Sequence, residues 1–270
     1  MENLVQKHGE VISNDISSKI SLRYHTITKA VNREFWNSSS DVLHSLYVGS
    51  YGRGTAIDVS DVDILITLPQ HEYTRFDTMK GNGQSRLLQA VKNSIILSYP
   101  KSNIRADGQV IVIDFSDGIK FEVLPAFENN WDNTFSYPDS NMGGNWRSTN
   151  PKAEQKAMRE KNKQSNGLFF DTCKHIRRIK NLNFSSYHLS GIVIDSFVYA
   201  AMGSWQWTPP NSNITPSQPG TYENVLLNYY NQNSYNGLIN LPLIAPGSNQ
   251  IVDTSSSMQC LGKVLNYIVR

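Results

Sequence analysis

Cysteine is scarce in this chain: 270 residues hold two, Cys173 and Cys260. A disulfide-stapled framework is thereby excluded. The two lie in apolar surroundings without metal-ligand spacing, which predicts buried, reduced thiols and a cytosolic location. Excess charge of one sign is missing too, since 25 Lys and Arg stand against 23 Asp and Glu, for a formal net charge of +2 and a pI near 8.4. Nothing global therefore marks a nucleic-acid or membrane-surface binder. No apolar run reaches the roughly 20 residues of a membrane span, and MENLVQKHGE lacks the basic-then-apolar layout of a secretory leader. What is present is enough chain for one large domain or two lobes, each with a core.

Apolar spacing organises the first half. Ile16, Ile20, Tyr24, Ile27, Val31 and Phe35 recur at steps of three and four, so residues 14–36 form an amphipathic helix capped at Asn14 or Asp15. LHSLYV and DVDILITL read as two strands joined by a glycine-rich turn, and residues 84–98 as a helix. VIVIDFSDGIKFEVLPAF reads as two further strands around Ser116-Asp117-Gly118. After residue 130 the Asn, Ser, Gly and Pro of WDNTFSYPDSNMGGNWRSTNP predict an irregular connection. Helices then dominate: PKAEQKAMREKNKQ with Pro in its first turn, GLFFDTCKHIRRIKNL, YHLSGIVIDSFVYAAM and SSSMQCLGKVLNYIV. Residues 203–222, with four prolines, predict a surface loop.

The chemistry concentrates in GSYGRGTAIDVSDVDILITLP, Gly49 to Pro69. Asp61 and Asp63 are two apart on a strand, so their side chains share a face while Val62 and Ile64 enter the core. Two neighbouring carboxylates repel unless protonated or bridged by cations, and hard oxygen ligands of this kind bind Mg²⁺. Alone, the three-residue pattern is weak, because a solvated edge strand carries it as readily. The upstream Gly49, Ser50, Gly52 and Gly54 strengthen it, since such loops let backbone amides cradle phosphate. Carboxylates beside a phosphate loop are what nucleotidyl transfer needs, with two ions and a third acid from a neighbouring strand. Glu122 in KFEVLPAF is the candidate: Phe121 and Val123 alternate with it into the core.

GSYGRGTAIDVSDVDILI, FEVLPAF, IRRIKN and SSYHLS together resemble the polymerase-β-like nucleotidyltransferases. The branch is that of 2′-5′-oligoadenylate synthetase, cyclic GMP-AMP synthase and their bacterial cGAS/DncV-like relatives, the CD-NTases of SMODS type. The resemblance runs from the first helix to about residue 200. It implies an α+β fold: a nucleotidyltransferase core of mixed sheet and flanking helices over residues 1–130, a mainly helical lobe over 131–270, and an active site in the cleft between them. It puts Gly49 and Ser50 on the triphosphate and two Mg²⁺ or Mn²⁺ ions on Asp61, Asp63 and Glu122. Glu122 departs from the Asp that oligoadenylate synthetases carry in an FDVLPAF context, and is one methylene longer. Arg177 and Lys180, three apart on a helix, match basic positions that reach donor phosphates, and Lys174 competes for that role. Ser186 and Tyr187 match a pair whose hydroxyl touches phosphate and whose ring stacks on the base, a stacking worth about 1–3 kcal/mol. Taken alone, without the upstream motif, Tyr187 reads rather as core and Arg177 with Lys180 as a solvated helix face.

From Arg147 to Lys180 ten Lys and Arg face only Glu154, Glu160 and Asp171. Such a lobe would attract triphosphates. The implied activity joins nucleoside triphosphates (ATP, GTP or pyrimidine nucleotides) into a cyclic di- or trinucleotide messenger in anti-phage signalling of the CBASS type. A downstream effector would read the product, and a regulatory protein partner is compatible with it. Neither a membrane nor nucleic acid is an expected partner, because the length leaves little room for a duplex platform and no Cys/His cluster marks a zinc insertion. Two rivals stand beside it: a same-fold transferase acting on RNA, protein or a small-molecule hydroxyl, and a nucleotide-binding sensor without catalysis.

Overall fold

The computed structural model describes residues 3–9, 11–57, 61–209, 217–235, 238–239 and 242–270. Its contacts divide the chain into two compact units. One comprises residues 12–52 and 58–151; the other comprises 1–11, 53–57 and 152–270.

In the first unit the predicted helix forms as α1 (Asn14–Phe35), with Ser13 rather than Asn14 or Asp15 as its cap. Its Ile20, Tyr24, Ile27 and Val31 are buried, as the spacing requires. There follow β1 (Ser45–Tyr47), the short helix α2 (Gly49–Arg53), β2 (Asp61–Thr67), α3 (Gln70–Asp77) and α4 (Gly83–Ile96). Next come β3 (Asn103–Asp107), β4 (Val110–Asp114), β5 (Lys120–Glu128), β6 (Phe135–Asp139) and β7 (Asn145–Thr149). The sheet runs β1-β2-β5-β4-β3, with β6 paired to β5 and β7 to β6. Only β2 and β5 pair in parallel among these neighbours. One face of the sheet presents Val62, Ile64, Ile66, Ile111, Ile113, Phe121 and Val123 to α1 and α4, and these side chains are fully buried. The other face carries the charges.

The glycine-rich turn expected between β1 and β2 is in part a helix, because Gly52 N donates to Val48 O at 2.8 Å and closes a turn. Asp58–Ser60, at its end, lie outside the described residues. The 131–151 segment is not irregular: β6 and β7 form a hairpin hydrogen-bonded to β5. Phe135 is its one fully buried aromatic, and the polar residues that masked its pattern line the exposed side. The Asp117 turn joins β4 to β5, and Arg23 of α1 donates to both Asp117 oxygens at 3.0 and 2.7 Å.

The second unit holds α5 (Pro151–Gln164), α6 (Leu168–Asn183), α7 (Gly191–Ala201), α8 (Thr221–Asn233) and α9 (Met258–Ile268). A small ribbon of β8 (Ser234–Tyr235) and β9 (Leu238–Ile239) follows α8. Its core is Phe169, Cys173, Ile176, Val193, Phe197, Leu226, Leu261 and Val264. Both cysteines are free and buried there, as expected. The prolines of the predicted 203–222 loop fall partly on residues 210–216, which lie outside the described residues. Because the β6–β7 hairpin is built onto β5, the contact boundary falls at 151/152 and not at 130. Among the described residues no helix is long and apolar enough to cross a membrane.

Candidate active site

Four side chains form a square on the charged face of the sheet. The parallel pairing of β2 with β5 sets Asp61 opposite Lys120 and Asp63 opposite Glu122. Strand periodicity then puts all four on one side, as the buried Val62, Ile64, Phe121 and Val123 require on the other. The three acids singled out in the sequence are thus brought together. What the sequence reading missed is the lysine, although K-F-E repeats the same two-residue step that identified the aspartates. Its Nζ lies 3.0 Å from Asp61 Oδ1 and 2.8 Å from Glu122 Oε1. The hydrogen bond to Glu122, with that to Asp61, holds the ammonium well above its ordinary range against the opposing effect of burial.

The square sits in a wider charged row. Across β4 the residue facing Lys120 is Asp114. Asp114 is engaged by Arg105 and accepts from Asn103 Nδ2 at 2.9 Å, both on β3. Lys120 is therefore left to Asp61 and Glu122.

Gly49, the first residue of α2, is packed directly against Asp63. Its φ is +57°, and a Cβ built there would lie 1.8 Å from Asp63 Oδ2 and 2.8 Å from Asp63 Cβ. Only glycine lets the Asp63 carboxylate lie against the start of α2. Val48 N donates to Asp63 O at 2.8 Å, tying loop and strand by backbone as well. Ser50, next in the turn, is half-buried.

Three hard oxygen donors on adjacent strands are the chemistry a divalent cation takes, and the Lys120 ammonium is a positive charge already seated between two of them. Among the described residues no three His, Cys, Asp or Glu side chains converge closely enough to hold a metal as they stand. The donor set fits the ion. Two of its side chains, Asp61 and Glu122, are turned toward lysine.

The helical unit treats the remaining expectations unequally. Arg177 is a correction: it is buried, and its guanidinium donates to Asp195 Oδ1 at 2.7 Å, Gly191 O at 2.9 Å and Cys173 O at 3.2 Å. Those contacts use the head group that was expected to reach phosphate. Asp195 is fully buried and also accepts from Arg53 Nε at 2.9 Å and Thr55 Oγ1 at 3.2 Å. Burial would raise its carboxyl, but Arg177 and Arg53 hold it below the usual range. Glu154, 3.6 Å from Arg53, is instead raised by burial. Asp195 and Arg53 were missed, yet one acid inside the apolar run GIVIDSFVYAA signals buried cationic partners.

Lys180 and Lys174 of α6 are half-exposed, and Ser186 is exposed. Tyr187 is exposed rather than core, with Lys263 Nζ 5.0 Å from its ring centroid.

A family model described as "Second Messenger Oligonucleotide or Dinucleotide Synthetase domain" matches residues 8–162. No curated protein matches the chain in sequence. Solved structures share its fold. The Elizabethkingia meningoseptica CdnE cyclic dinucleotide synthase, solved with GTP and Apcpp, superposes with a TM-score of 0.61 at 15% identity, over 93% of this chain and 89% of that one. The Rhodothermus marinus CdnE c-UMP-AMP synthase, with Apcpp and Upnpp, does so with a TM-score of 0.61 at 14% identity, over 93% and 90%. CdnC of E. coli MS115-1, in complex with HORMA-deltaN, gives 0.59 at 10% identity, over 94% and 83%.

Proposed function

The chain belongs to the Second Messenger Oligonucleotide or Dinucleotide Synthetase family, and from that premise we propose that it joins nucleoside triphosphates into a cyclic di- or trinucleotide messenger for bacterial anti-phage (CBASS-type) signalling. The observation that carries the assignment of chemistry to residues is the in-register pairing of Asp63 with Glu122, beside Asp61 and directly against Gly49.

In this reading Gly49 and Ser50 offer backbone amides and a hydroxyl to the triphosphate. Asp61, Asp63 and Glu122 hold Mg²⁺ or Mn²⁺, two ions in all, which when bound activate the attacking ribose hydroxyl and neutralise the departing pyrophosphate. Lys180 draws in the donor phosphates, with Lys174, six residues earlier on α6, competing for that role. Ser186 touches them and Tyr187 stacks on the donor base. Arg177 acts at one remove, holding α6 and α7 together through Asp195. The bond formed joins the acceptor ribose oxygen to the donor α-phosphorus; the bond broken releases pyrophosphate, and the hydroxyl proton passes to solvent. Repetition within the linear product closes the ring.

The nucleotides named with the neighbouring structures support nucleoside triphosphates as substrates. The HORMA complex of one neighbour supports a regulatory protein partner. A cytoplasmic location, where triphosphates are abundant, and an effector that reads the product complete the proposal.

The test is product analysis by mass spectrometry after incubation with the four ribonucleoside triphosphates and Mg²⁺ or Mn²⁺. Wild type should form a cyclic product with no added acceptor, and Asp61→Ala with Asp63→Ala should form none. Product that needs an RNA, protein or small-molecule acceptor would favour the transferase rival. Binding without pyrophosphate release would favour the sensor.

A further inference from the structure

We propose that Lys120 is a built-in competitor of the divalent cation: an intramolecular ammonium that sits on one oxygen each of Asp61 and Glu122 and raises the metal concentration at which they load. The inference rests on the reading of Asp61, Asp63 and Glu122 as metal carriers.

Three observations carry it. First, backbone register sets the lysine opposite Asp61 and two residues before Glu122 on one strand face, so its side chain starts on the same side of the sheet as both acids. Second, its Nζ is within hydrogen-bonding distance of both acids, at 3.0 and 2.8 Å, and its side chain is 29% exposed against 55% for Asp61 and 30% for Glu122. The contact is partly screened from water. Third, the other acid that faces it, Asp114, is already engaged by Arg105 and Asn103, so nothing on β4 draws the ammonium away.

An ammonium held on one oxygen of each acid repels a divalent cation approaching the same carboxylates and draws off part of their negative charge. Its presence therefore weakens loading, and displacement of the lysine from Asp61 and Glu122 favours it. While it stays, it offsets the repulsion between the two carboxylates it touches, Asp61 and Glu122. Removing the charge should then do two opposite things: strengthen cation binding and weaken the protein when no cation is supplied.

The experiment titrates Mn²⁺ alone into the full chain, read by calorimetry and by electron paramagnetic resonance of free Mn²⁺. The variants are Lys120→Met, Lys120→Gln and Asp61→Asn with Asp63→Asn. Both lysine variants should bind Mn²⁺ roughly fivefold more tightly than wild type, the factor expected for one partly exposed ion pair. Thermal unfolding in chelator should start lower than wild type in Lys120→Met and recover further on adding Mn²⁺. Lys120→Gln keeps hydrogen-bond donors without the charge, so the test survives if Lys120→Met does not fold. Equal or weaker Mn²⁺ affinity in the folded lysine variants, with wild-type binding intact, overturns the role of Lys120 alone. Absence of Mn²⁺ binding by wild type, or binding that persists in Asp61→Asn with Asp63→Asn, overturns the metal reading itself and this inference with it.

Discussion

Gly49 is the residue with the least freedom to change. A methyl group there would enter the Asp63 carboxylate at 1.8 Å, on a backbone with φ of +57° that side chains disfavour by about 1–2 kcal/mol. Gly49→Ala should therefore shift Asp63 and lower kcat by about 100-fold, the usual scale for a misplacement near 1 Å. Circular dichroism should show the fold retained, and steady-state pyrophosphate release measures the loss. Arg177 and Lys180 separate by readout. Arg177→Met leaves Asp195 buried with half its cationic partners gone and should cost about 3–5 kcal/mol in urea unfolding. Lys180→Ala should raise KM for the donor severalfold while leaving the urea midpoint where it was. The reverse pattern would return Arg177 to the nucleotide. The acids were legible in the sequence because strand periodicity assigns faces without further information. Arg177 was misread because helical spacing says which residues share a face but not whether that face is covered. The apolar neighbours of Asp195 held that information.

Among elements, the segment Asn3–His8 is secured to α6 and α8 by polar contacts that titrate. Val5 N donates to Glu223 Oε1 at 2.8 Å and His8 N to Asp171 Oδ1 at 2.8 Å. His175 Nε2 meets Asn3 O at 2.8 Å, so it donates there and leaves Nδ1 to accept from His8 Nε2 at 3.1 Å. A proton on His175 Nδ1 would set donor against donor. Burial lowers both imidazoles from the ordinary 6.5; Asp171 and Glu223 oppose that, while Arg178 and Lys174 assist it. The unfolded chain then takes up protons below about pH 6.5 that the folded chain refuses, so stability is full above that pH and falls as acid is added. The midpoint of thermal unfolding should drop by a few degrees between neutral pH and pH 5.5. His8→Asn with His175→Gln should flatten that slope, as scanning calorimetry across the range would show; an unchanged slope would exclude the pair as its source. Elements with a single apolar stripe, such as α1, α4, β2 and β5, were readable from spacing. The β6–β7 hairpin was not, since its polar outer face hides the alternation, and α8 mixes Asn and Tyr too evenly to declare a side.

For the whole molecule, the shift toward helix after residue 150 was readable in the sequence, but where the contacts divide the chain was not. Composition changes at 130, whereas hydrogen bonding carries the first unit on to 151. The second unit also claims Met1–Val11 and Arg53–Ile57, two pieces far away in sequence that no local pattern connects to it. In the second case the link is Asp195: this fully buried carboxylate accepts from Arg177 and also from Arg53, which comes from elsewhere in the chain and lies 3.6 Å from Glu154 as well.

That borrowed arginine limits how such proteins can be recombined. A helical half grafted from one relative onto another as a continuous cassette from residue 152 onward would keep Arg177 but arrive without Arg53, the second arginine on its own interior acid. The transplant would succeed only when the recipient's glycine-rich segment happens to end in a compatible cation, so the two halves are heritable as a matched set.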